Sequence, residues 1–134
     1  MATISTSLKG DMLFETQLGK HDVLIDVPPS MGGSDRGPTP PEFFVPSLGS
    51  CVAALVANYC NNAAIDTTGL SVDVTFDKAE DPTRLTNVKV LIHLPHADLN
   101  GREAAILRVA ERCPVHETIC SMDSVEISMN GHSR

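Results

Sequence analysis

The 134 residues suit one domain of ordinary size, residues 1–134, and its core must be aliphatic, because 42% of the chain is hydrophobic but only 4% is aromatic, with no Trp. A formal charge of -7 argues against binding to nucleic acid, whose affinity for proteins comes largely from clustered Lys and Arg. The longest strongly apolar run, Cys51 to Ala57, falls far short of the roughly 20 residues that cross a bilayer, and the N-terminus lacks the basic start and apolar run of a secretory signal, so a soluble cytoplasmic protein with no membrane partner is expected.

In chain order, Thr3–Lys9 and Met12–Leu18 read as strands around a Gly10-Asp11 turn, and Asp22–Val27 reads as a third. Pro28 to Pro41 is a long loop in which GGSDRG calls for glycine backbone freedom; it lacks the Lys-Ser/Thr pair of a phosphate loop. Thr39-Pro40-Pro41-Glu42 has the form of a capping box and starts a helix. Pro46 predicts a kink or break, followed by a longer helix from about Ser47 to Ala64. Along that helix Leu48, Val52, Leu55 and Tyr59 recur at helical spacing, and surrounding Ala and Val predict a mostly buried central element.

Alternation around Val72, Val74 and Phe76, and again around Val88, Val90 and Ile92, predicts two half-buried strands. Leu99, Ile106, Val109 and Ala110 mark one face of a second helix from about Asp98 to Arg112. Pro114 opens a short helix that places Cys113 at its N-cap, and Ser124–Met129 reads as a last strand. The order βββ-α-ββ-α-β defines an α+β domain.

Chemistry has to be sought among the four cysteines, since cytosolic thiols are usually free, metal-bound or catalytic rather than bridged. A thiol near its ordinary pKa of about 8.5 is mostly protonated at neutral pH, so a reactive one needs a helix N-terminus, a cation or a polar pocket. A helix beginning near Ser47 would hold Cys51 in its first turns, and Cys113 would sit at an N-cap. Cys60 lies half a turn from Cys51 on the opposite face, and the two cannot pair within one helix.

The segment Pro41-Glu42-Phe43-Phe44 through Leu48-Gly49-Ser50-Cys51, followed by Arg112-Cys113-Pro114-Val115, resembles the OsmC/Ohr superfamily. The resemblance implies an OsmC-like two-layer fold, with antiparallel sheets wrapped around central helices, in an intertwined homodimer. It implies reduction of organic hydroperoxides or hydrogen peroxide in oxidative stress defence: Cys51 attacks the peroxide and becomes a sulfenic acid, and Cys113 condenses with it to a disulfide. No cofactor is implied; a dithiol such as a lipoyl group serves as reductant. Glu42 matches the acidic residue that orients a basic side chain toward the thiolate, and is equally well read as the capping-box residue.

The cations before Cys51 are Lys9, Lys20 and Arg36, of which Arg36 is the nearest substitute for the basic partner; its plain alternative is a solvated loop residue. A non-enzymatic OsmC-like protein that senses redox state or holds a small ligand at the dimer cleft stands as the other reading. Cys60 and Cys120 match no motif and are expected to pack. Cys113, His116 and Cys120 are spaced for metal binding but lack a second ligand pair, so no metal is expected. His93 and His96 are expected at the surface.

Overall fold

A computed structural model describes residues 1–129 and the short strand His132–Ser133. The chain forms two compact units, one of residues 1–47 and 76–88, the other of residues 48–75 and 89–134.

The first unit carries an antiparallel meander of β1 (Ser5–Gly10), β2 (Leu13–Leu18) and β3 (His21–Ile25), with Ser7 opposite Glu15 and Thr16 opposite Val23. These strands agree with the predicted ones to within one or two residues at each end. Gly10, Asp11 and Met12 all take positive φ in the first turn, and the β1–β2 register shifts there. The hydroxyls of Thr6 and Thr16 hydrogen-bond across the two strands at 2.7 Å.

The loop after β3 is pinned by Asp26. Its carboxylate, 1% exposed, accepts the amides of Val27 at 2.8 Å and of Ser34 and Arg36 at 3.1 Å. Glycine is required here for close approach more than for φ. A Cβ on Gly33 would meet the Val27 carbonyl oxygen at 1.5 Å, and one on Gly37 would meet that of Leu24 at 2.4 Å.

Helix α1 spans Pro40–Asn62 without interruption, so the break predicted at Pro46 is absent. Proline removes one amide donor and crowds one carbonyl, and in the same turn the Ser47 hydroxyl donates to the Phe44 carbonyl at 2.6 Å. The helix stops in a Schellman arrangement: Ile65 N–H bonds the Cys60 carbonyl at 2.8 Å and Ala64 N–H that of Asn61 at 3.4 Å, with Ala64 at φ 54°.

With Glu42 as its only charged residue, α1 is by length and mean hydropathy (1.5) sufficient to cross a membrane, a test the strict run Cys51 to Ala57 does not meet. Core helices of globular proteins pass the same test. Only 22% of that apolar window is buried, less than the mostly buried helix expected from its composition.

The second unit has one core. Leu48, Val52, Val56 and Cys60, every fourth residue of α1, join Ile65, Ile106, Ala110 and Cys113, while Leu55, Tyr59, Val72, Val74, Ile92 and Val115 pack at its margin. Strands β4 (Ser71–Ala79) and β5 (Arg84–His93) pair with each other, and His93 bonds Asp73 across them at 2.8 Å.

Helix α2 runs Glu103–Glu111, shorter than predicted at its start, because Asn100 and Gly101 take φ of 49° and 76° and no right-handed helix continues through such residues. Helix α3 runs Pro114–Ser121. The expected strand Ser124–Met129 shrinks to β6 (Ser128–Met129), paired with β7 (His132–Ser133). Alternation in residues 124–129 reports a two-faced segment, but a strand also needs an edge to pair with. Val125 and Ile127 are 68% and 78% exposed.

Candidate functional site

Cys51 packs against the core of the second unit, in which Cys113 is buried, and the Cys51 side chain acts on the Cys113 thiol. Cys51 comes from α1 and is half-buried. Cys113 joins α2 to α3 and is fully buried. Cys113 is the N-cap of α3, as its position before Pro114 predicts, and its Sγ accepts the His116 amide at 3.4 Å.

Burial pushes the Cys113 thiol pKa up; the hydrogen bond with Cys51 and the charge of a Cys51 thiolate push it further, against the amides of His116 and Val115. In the reduced pair Cys113 therefore keeps its proton, and Cys51 is the more accessible sulfur.

The expected dipole assistance to Cys51 fails. With α1 starting at Pro40, Cys51 lies about three turns into the helix, and the field of a helix end fades within its first turn.

Arg36 and Glu42 lie in the first unit. The Arg36 guanidinium pairs with Asp26, Nε to Oδ2 at 2.8 Å and Nη2 to Oδ1 at 3.3 Å, and Nη2 also donates to the Asp11 carbonyl at 2.6 Å. The pairing holds the Asp26 carboxyl well below the usual carboxylate range, despite burial acting the other way, and raises Arg36. Nothing in the sequence reading pointed to Asp26. The signal available was an acid directly after the apolar Val23-Leu24-Ile25, ten residues before the only Arg of a Gly-rich loop.

Glu42 is exposed and accepts from Thr39, from its hydroxyl at 2.6 Å and its amide at 3.4 Å. This is half a capping box, since the threonine hydroxyl donates to the carboxylate instead of capping an amide.

Cys60 packs as expected, fully buried, with its thiol pKa pushed up by desolvation. Cys120 does not. It is exposed, and its Sγ lies 3.5 Å from His116 Nε2. Among the described residues no group of three or more His, Cys, Asp or Glu is arranged to hold a metal ion.

Residues 32–129 match the family described as OsmC-like protein. The chain belongs to the OsmC-like family. Solved structures share its fold: an osmotic stress and detoxification response protein of Psychrobacter arcticus (TM-score 0.75, 22% identity, 88% of each chain covered) and an OsmC-like protein of Mycoplasma pneumoniae (0.70, 21%, 90% of this chain and 87% of that one). An organic hydroperoxide resistance protein of Legionella pneumophila matches with TM-score 0.64 and 20% identity over 89% and 88% of the two chains. No curated protein matches the sequence. The α+β OsmC-like fold expected from the two cysteine motifs is therefore the one this chain adopts.

Proposed function

We propose that this OsmC-like chain is a thiol peroxidase that reduces organic hydroperoxides or hydrogen peroxide. The observation that carries the reading is the Cys51–Cys113 pair at the core of the second unit, with Cys51 half-exposed and Cys113 buried, its Sγ accepting the His116 amide.

The Cys51 thiolate attacks the terminal peroxide oxygen. The O–O bond breaks, Cys51 becomes a sulfenic acid and the alkoxide leaves as alcohol after taking a proton. Oxidation removes the thiolate whose charge and hydrogen bond held Cys113 protonated, while the two amides at the start of α3 remain. Cys113 then ionises, attacks the Cys51 sulfur and expels water as the disulfide forms. A cytoplasmic dithiol, a lipoyl group being the natural class, returns both thiols. Relatives with the same fold include a protein of hydroperoxide resistance, which supports the substrate class.

A second reading is a redox sensor with slow chemistry, and two observations favour it: Cys51 lacks the end of a helix, and Arg36 is committed to Asp26.

Consumption of cumene hydroperoxide with dihydrolipoamide, beside Cys51→Ser, separates the readings. The peroxidase turns over and the variant does not. Mass spectrometry finding Cys51 unmodified after excess hydroperoxide would sink both.

A further inference from the structure

We infer that Cys120 and His116 form a second thiol site on α3, one that exchanges with small aliphatic disulfides to form a mixed disulfide at Cys120. The two residues are four apart on α3 and share a face. His116 Nδ1 lies 2.8 Å from the carbonyl oxygen of Glu111. A carbonyl only accepts, so Nδ1 donates its proton there, and the neutral ring keeps its lone pair on Nε2. That nitrogen faces the Cys120 sulfur at 3.5 Å.

Nucleophile, proton acceptor and an orienting group for the acceptor are thus in line, the arrangement that activates a thiol. The arrangement is distinct from the Cys51–Cys113 pair and does not rest on the peroxidase reading. Cys120 stands exposed on the helix, so a small disulfide reaches it without a binding pocket.

In the exchange the Cys120 proton passes to His116 Nε2, and the thiolate attacks one sulfur of the disulfide. A new S–S bond forms at Cys120 while the original one breaks. The departing thiolate is the reduced product and takes up the proton. Cys120 is oxidised and half of the small disulfide is reduced, so no further reactant is needed.

The test treats the reduced full chain with hydroxyethyl disulfide in the absence of peroxide, quenches with acid and maps the adduct by peptide mass spectrometry. Cys120 should be the first residue modified, and His116→Gln should slow its modification on the order of 100-fold, the lower range of what a positioned base contributes. Equal rates in the two proteins, or an adduct on Cys51 with Cys120 free, overturn the inference. The same reaction in denaturant guards against a variant that folds poorly, since native Cys120 must react faster than Cys120 of the unfolded wild-type chain. If it reacts no faster, the inference also falls.

Discussion

The backbone amides of His116 and Val115 favour ionisation of the Cys113 sulfur. On the proposed mechanism what changes is Cys51, because a Cys51 thiolate opposes ionisation of Cys113 and its sulfenic acid does not. That reading orders the pair in time, with Cys51 first and Cys113 second. Cys113→Ser should leave a Cys51 sulfenic acid that dimedone traps in stoichiometric amount, with sustained turnover lost; a disulfide to another cysteine in its place would refute the ordering.

Asp26 supports a different prediction at the same scale. Its carboxyl pKa is depressed in the folded chain, so the stability it contributes is fully present above the ordinary value of about 3.9 and is lost as pH falls below it toward the folded value. The melting temperature of the wild type should therefore drop more steeply below about pH 4 than that of Asp26→Asn. Parallel melting curves would show that the buried pair with Arg36 is not what acid removes.

Helix α1 holds most of the information that local pattern could and could not supply. Its start at Thr39-Pro40 and its buried stripe were legible, because capping chemistry and a four-residue apolar repeat are local properties of the chain. Its continuity through Pro46 was not. A proline's cost at one turn is set against the packing of Leu48, Val52, Val56 and Cys60 beyond it, and that sum is known only once the core is assembled.

Val56 sits at the centre of this stripe with no exposed surface, so Val56→Ala should destabilise the fold by about 2 kcal/mol, counting two lost methyl groups and the cavity they leave. Chemical denaturation measures this directly. At the other end, Ala64 is left-handed without being glycine, and Ala64→Gly should raise stability by about 0.5–1 kcal/mol, the relief of strain exceeding glycine's extra entropy. A lower denaturation midpoint would contradict that account of the helix stop. Helix α3 shows the same division: Pro114 announced its start and Cys113 its cap, but only its completed turns bring the His116 ring to Cys120.

At the scale of the whole molecule, Phe44, Leu91, Val125, Ile127 and Met129 are large apolar side chains left exposed on the single chain. We expect a second copy of the chain to cover some of them. Light scattering should give twice the chain mass, and Ile127→Lys should reduce it to the monomer; a monomeric wild type at micromolar concentration would exclude the homodimer.

The sequence alone determined the α+β order of elements, the meander at the start and the family. Each of these follows from short-range periodicity, capping residues or two spaced motifs, which survive in one dimension. Tertiary structure decided how the polar and thiol groups are spent. Arg36 is bound to Asp26, Glu42 to Thr39, Cys113 is buried against Cys51, and Cys120 is exposed beside an oriented histidine. A side chain's partner and its burial depend on which distant segments fold against it, and no local pattern encodes those distances. The two cysteines named by their motifs thus differ in environment, Cys113 buried with its thiol pKa pushed up and Cys51 half-exposed.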